Sequence, residues 1–238
     1  MVRPAAASAP PRRAVAGGTP MSPATMGRVL GILKRRAPTW RPTAVSEVAA
    51  KERDPFRILI ACLLSLRTQD TTTGPAAARL FRLADTPEAM VRFRPRTIER
   101  AIFPVGFYRT KARVILGVSR DLLDRFGGRV PDDLDALLTL KGVGRKTANL
   151  VVTVGFGKPG ICVDTHVHRI SNRLGFVRTR TPGETEQALR ARLPRRYWIE
   201  LNDLLVAFGQ NVCRPLGPHC SCCPVAARCP RIGVRHAR

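Results

Sequence analysis

Cys213, Cys220, Cys223 and Cys229 fall within the stretch NVCRPLGPHCSCCPVAARCP, with six, two and five residues between successive members. Four thiolates this close can enclose one metal centre. A structural zinc site usually joins two CxxC-type knuckles across a long spacer, whereas every gap here is short, as wrapping a compact cubane requires. The four cysteines therefore read as ligands of a 4Fe-4S cluster, with a zinc-binding nucleic-acid module as the alternative. Of the other cysteines, Cys222 sits beside Cys223, Cys62 lies in an apolar run and reads as packing, and Cys162 has no partner nearby. An odd count of seven, four of them in one loop, argues against a disulfide framework and for a reducing compartment.

A second chemical signal is LKGVGRKTA at 140–148. Gly142 and Gly144 flank Val143 between helical segments, so the backbone can turn tightly and approach a ligand without a Cβ in the way. The helix that follows would offer free N–H groups to a phosphate, with Arg145 adding charge. Lys146 at its start reads, on residue type alone, first as another phosphate contact. A third signal is VDTH at 163–166, where Asp164 is a good N-cap for the helix VHRISNRL. His166 and His168 lack a third ligand nearby and read as packing or hydrogen-bonding residues.

These motifs need elements to hold them, and the elements read as helices. Asp54-Pro55 opens FRILIACLLSL, apolar on nearly every face and so a central buried helix; Thr86-Pro87-Glu88 opens another. Gly127-Gly128 closes RTKARVILGVSRDLLDRF, and Thr181-Pro182-Gly183-Glu184 is a capping box. The β-branched run Val151 to Val154 continues the helical pattern that begins near Arg145, and no partner strand is visible. The fold class is all-α, without repeats. Residues 1–26 are rich in Ala, Pro, Arg and Ser and contain no acid, so they read as a disordered basic tail.

A formal charge of +24, from 41 Lys and Arg against 17 Asp and Glu, exceeds what solubility requires and points to a polyanion, nucleic acid first. No run of apolar residues is long enough to span a membrane, and the N-terminus lacks the apolar centre of a secretory signal. A cytoplasmic, nucleoid-associated bacterial protein is expected, with organellar targeting by the Arg-rich tail as the alternative. Oligomerisation has no visible signal, and a monomer is expected.

The four cysteines, in this order and at these gaps, resemble the 4Fe-4S loop of the endonuclease III family of DNA glycosylases. LKGVGRKTA and VDTH resemble that family's helix-hairpin-helix and catalytic aspartate segments, in the same order, and the resemblance runs from about residue 27 to about residue 230. It implies a two-lobed helix-hairpin-helix fold: a six-helix barrel over 48–158 and an iron-sulfur domain made of 27–47 plus 159–238, with DNA in the groove between. It implies that Lys146 is the nucleophile and Asp164 the assisting carboxylate of a bifunctional glycosylase and abasic-site lyase. The expected substrate is double-stranded DNA carrying an oxidised or ring-saturated pyrimidine or an abasic site. The strand break left behind implies a downstream abasic-site endonuclease.

The resemblance also matches Leu64 to Asp70 to a gap-filling loop and Gly106-Phe107-Tyr108 to an apolar wedge. It thereby makes Arg67 and Phe107 DNA contacts beside Gly142, Val143, Gly144 and Arg145. Lys141 stands where the family usually has Pro, and Arg67 where many relatives have Gln. The remaining alternatives are a pyrimidine-dimer or adenine-mispair glycosylase of the same superfamily, and a non-catalytic iron-sulfur DNA-binding or redox-sensing protein.

Overall fold

A computed structural model describes residues 20–40, 42–51 and 53–238, and among these the chain is helical with no strand. Most of the expected tail lies outside the described residues. The first helix, α1 (Pro23–Arg36), begins inside the span read as tail, because Ser22 caps it by accepting from the Thr25 N–H at 3.1 Å and Pro23 supplies a helix-ready φ. There follow α2 (Ala44–Lys51), α3 (Pro55–Ser65), α4 (Asp70–Leu83), α5 (Pro87–Met90), α6 (Pro95–Ile102), α7 (Tyr108–Phe126), α8 (Leu134–Leu138) and α9 (Arg145–Leu150). The chain then continues through α10 (Thr165–Arg173), α11 (Pro182–Arg192) and α12 (Trp198–Asn211).

The helix starts follow the caps written in the sequence. Asp54 accepts from the Arg57 N–H at 2.8 Å, Thr86 from the Ala89 N–H at 3.2 Å and Thr181 from the Glu184 N–H at 3.2 Å. Glu184 accepts in return from the Arg180 N–H, one residue before the expected cap. Gly127 closes α7 in the left-handed region, φ +58°. The run Val151–Gly155 continues directly from α9 as a turn of π-helix, with the Thr153 hydroxyl donating to the carbonyls of Asn149 and Leu150.

The buried apolar side chains form two cores. One is built around α3, which buries Phe56 and every residue from Ile58 to Leu64, and draws on α2 through α9. The other joins α1 to α10, α11 and α12, with Met26, Leu30, Phe176 and Phe208 fully enclosed. The first core begins at Val45 and ends at Cys162, and α2 packs with α3 and α4. Among the described residues no helix is long and apolar enough to cross a membrane.

One buried carboxylate ties the two cores together. Glu186 of α11 is 3% exposed and accepts from Arg145 Nη2 at 2.7 Å and Arg145 Nε at 3.1 Å, while Arg190 Nε donates to it at 3.0 Å. Burial pushes its carboxyl upward, but the Arg145 and Arg190 guanidiniums outweigh burial and hold its pKa below the ordinary glutamate range. A depressed carboxyl contributes stability that is complete above the unfolded-state pKa and is lost as pH falls through the lower folded-state value. Glu186→Gln should therefore lower stability by about 2 kcal/mol at pH 7, the guanidinium of Arg145 being partly solvated. Urea melts of variant and parent should converge only in acid, as pH falls below the ordinary glutamate range and through the depressed value of the folded parent.

Candidate active site and metal centre

Lys146 and Asp164 meet across the seam between the cores. Both line a cleft of about 560 Å³, together with the Leu66–Thr68 loop, Asp70, His166 and Gln210. Lys146 is the second residue of α9, half-buried, and α9 starts from Gly144 without a side-chain cap. The turn before it demands glycine at 142: φ is +91°, and a Cβ there would stand 2.6 Å from Val114 Cγ1. Beneath Lys146 lie two buried thiols, and Cys162 Sγ donates to the Lys146 carbonyl at 3.4 Å. Burial pushes Cys62 up to about 12 and Cys162 higher still, so both remain neutral and offer the lysine no thiolate counter-ion.

Asp164 caps α10. Its Oδ1 accepts from the His166 N–H at 2.9 Å and the Val167 N–H at 2.8 Å, which fixes the carboxylate at the cleft wall. The neighbouring His166 has its pKa lowered by burial, with Asp164 opposing and Arg169 and Lys146 reinforcing the shift, so it is neutral at pH 7. Its Nδ1 lies 3.1 Å from Arg169 Nη2, and His168 Nδ1 lies 2.6 Å from Thr185 Oγ1, both hydrogen-bonding roles. Across the cleft Gln210 Nε2 donates to Asp70 Oδ2 at 2.8 Å, and the hydroxyl of Ser46 donates to Asp203.

Two of the expected contacts have partners within the protein. Val143 is 6% exposed within the first core and its N–H donates to the Leu140 carbonyl at 3.0 Å. The Arg145 guanidinium is engaged by Glu186, because α11 brings a buried carboxylate to it that sequence spacing did not reveal. Arg67 and Phe107 do come together: both are exposed, both are left-handed with φ of +55° and +59°, and Arg67 Cζ lies 4.7 Å from the Phe107 ring centre. A left-handed non-glycine residue costs about 1 kcal/mol, so something must hold each.

That support was not anticipated. Lys111 on α7 is 8% exposed, and its Nζ donates to the carbonyls of Leu64 at 2.7 Å and Leu66 at 2.6 Å and to Thr68 Oγ1 at 3.1 Å. Burial lowers its pKa to about 8, so it still carries its proton at pH 7, matching three N–H donors to three acceptors. Its only trace in the sequence is a lysine among the buried positions of a helix.

Cys213, Cys220, Cys223 and Cys229 line one shared pocket, floored by apolar side chains such as Ile170, Leu174 and Phe208. Arg173 Nη1 donates to Cys213 Sγ at 3.5 Å and the Arg231 N–H to Cys229 Sγ at 3.4 Å. Burial and the neighbouring thiols push Cys223 up to about 11, so thiolates persist there only with a compensating cation. Among the described residues no three His, Cys, Asp or Glu side chains close on a single ion. Sulfurs standing around a shared cavity suit a several-atom cluster better than one zinc ion, whose ligands sit about 2.3 Å away. Cys222 is exposed and does not line the cavity.

Residues 60–195 match the model of the HhH-GPD superfamily base excision DNA repair proteins. The chain is 50% identical over 179 residues to Endonuclease III of Thermotoga maritima, covering 75% of this chain and 84% of that protein. It is 46% identical over 189 residues to the chloroplastic Endonuclease III homolog 2 of Arabidopsis thaliana, of which it spans about half the length, 49%. Its structure superposes on Endonuclease III in a non-covalent DNA complex with a TM-score of 0.79 at 34% identity, covering 89% of this chain and 96% of that one. For a trapped covalent Endonuclease III–DNA intermediate the TM-score is 0.78, covering 89% and 97%. With this fold, this hairpin and these relatives, the chain belongs to the endonuclease III family, within the HhH-GPD superfamily, and is a DNA glycosylase of base excision repair.

Proposed function

We propose that the protein removes oxidised or ring-saturated pyrimidines from double-stranded DNA and then cleaves the abasic site as a lyase. The observation that carries this reading is the meeting of Lys146 and Asp164, from different cores, in one cleft. The Lys146 amine attacks C1′ of the damaged nucleotide, the C1′–N bond breaks, and the base leaves with a proton. Asp164, its Oδ1 held by two backbone N–H groups, stabilises the positive charge that develops on the sugar. Collapse to a Schiff base opens the sugar ring; loss of a C2′ proton then expels the 3′ phosphate by β-elimination, and water releases Lys146.

The duplex is held by its backbone and opened by side chains. Gly142 and Gly144 let the hairpin approach a phosphate, with the uncapped first turn of α9 and exposed Lys141 as donors. The Arg145 side chain is left to Glu186, and its part in binding is that of its backbone N–H. Arg67 and Phe107 enter the stack where the target base leaves, which offsets part of the few kcal/mol that base flipping costs. Cys213, Cys220, Cys223 and Cys229 would hold the 4Fe-4S cluster, which supplies a structural anchor for the basic loop carrying Arg214 and Arg231. A downstream abasic-site endonuclease follows from the blocked 3′ end, and a monomer suffices for every step.

Borohydride should trap the parent protein covalently on duplexes carrying an oxidised pyrimidine or an abasic site. Lys146→Ala should abolish the adduct on both, and absence of any adduct with the parent would sink the lyase assignment. Asp164→Asn should slow base release roughly 100-fold or more while leaving the fold intact, read as single-turnover rates beside melting curves. Cys223→Ser should lower bound iron and the visible absorption of the purified protein, whereas unchanged iron with zinc present would favour the zinc alternative.

A further inference from the structure

The two segments that face the duplex are separate in sequence, yet they share one buried anchor. The first, Leu64 to Thr68, leaves the end of α3; the second, Gly106-Phe107, starts α7. They touch directly: the Gly106 N–H donates to Thr68 Oγ1 at 3.2 Å, and a Cβ at Gly106 would stand 2.8 Å from the Arg67 carbonyl oxygen. Thr68 Oγ1 also accepts from Lys111 Nζ, which in the same stroke binds the carbonyls of Leu64 and Leu66. Lys111 stands one helical turn beyond Phe107, and its N–H donates to the Phe107 carbonyl at 3.0 Å. One residue therefore grips the first loop with its side chain and the second turn with its backbone.

We propose that Lys111 is a positioning residue that locks these two segments into one rigid surface, so that Arg67 and Phe107 enter the duplex together. An ammonium suits the task because its three donors meet three convergent acceptors in a nearly dry site, where each bond to a charged group is strong. A shorter or apolar side chain leaves two carbonyls of the loop unsatisfied and frees Arg67 to leave its left-handed conformation. A surface that is not preordered must be ordered on binding, at the expense of affinity and of base extrusion. The role touches neither Lys146 nor Asp164 and so is separable from the chemistry. It rests on the reading that Arg67 and Phe107 contact DNA.

The test uses a duplex with an uncleavable tetrahydrofuran abasic analogue and the fluorescent base 2-aminopurine opposite it. It compares the iron-loaded parent with Lys111→Met, with the Arg67→Ala/Phe107→Ala double variant, and with the triple. The parent should raise the fluorescence as the opposite base unstacks. Lys111→Met should weaken binding roughly tenfold and lower the saturating signal towards that of the double variant. Added to the double variant it should change neither quantity by more than about twofold, because the side chains it positions are gone. Losses that multiply in the triple, or a Lys111→Met protein that behaves as parent, would overturn the proposal. A double variant with parent affinity and parent signal would instead overturn the insertion reading beneath it. Lys111→Gln, which keeps a donor and a polar head, is carried alongside with melting curves, and it should give an intermediate signal if the Met variant folds poorly.

Discussion

The geometry of the cleft depends on a buried carboxylate between two guanidiniums. Lys146 stands on α9, which packs in the first core, and Asp164 caps α10, which packs in the second, so any slip between the cores would separate them. Glu186 opposes that slip. It holds Arg145, the residue beside Lys146, and sits on α11, which binds α10 through Thr185 and His168. Asn149 adds its amide to the same carboxylate at 3.4 Å, and Arg190 Nη2 donates to Asn149 Oδ1 at 3.1 Å, so α9 and the middle of α11 form one polar knot. Such a knot stores little net stability, since desolvating the ions offsets much of their attraction; its effect is register.

The same economy of buried polar groups recurs on the other wall. Lys111 converts three backbone and hydroxyl acceptors, which would otherwise need water, into a fixed loop. Gln210 and Asp70 then bridge the loop's far end to α12. The cleft is thus bounded by elements whose positions are set by interior hydrogen bonds, while its exposed edge keeps Arg67 and Phe107 in conformations that their own backbones disfavour. A net charge of +24 draws a polyanion to the molecule, but it is these interior bonds that decide where on it a particular nucleotide is received.

The cysteine cavity applies the complementary constraint. Its walls are apolar, its sulfurs receive N–H bonds from Arg173 and Arg231, and Arg173 also binds the carbonyls of Arg214 and Pro215. Burial makes the Cys223 and Cys229 thiols resist ionisation, first of all through the loss of water around them. The loop packs against α10, the helix that Asp164 caps, so the cysteine cavity and the cleft share one element.

By itself the sequence determined what depends on local spacing. Helix starts at Asp54, Thr86 and Thr181 and the glycine stop at 127 follow from side-chain caps a few residues long, and the four-cysteine loop and the glycine hairpin are contiguous enough to be read directly. The family resemblance added roles for Lys146 and Asp164 that residue type alone left open between phosphate contact, cap and catalyst. The tertiary structure decided what depends on distant partners. It paired the Val143 N–H with the Leu140 carbonyl inside the hairpin, engaged the Arg145 guanidinium with Glu186, and packed α2 against α3 and α4. It also brought Lys111 under a loop more than 40 positions away in sequence. The reason is physical: burial and ion pairing are properties of what packs alongside, and a lysine or glutamate carries no mark of its neighbours until the chain has folded around it.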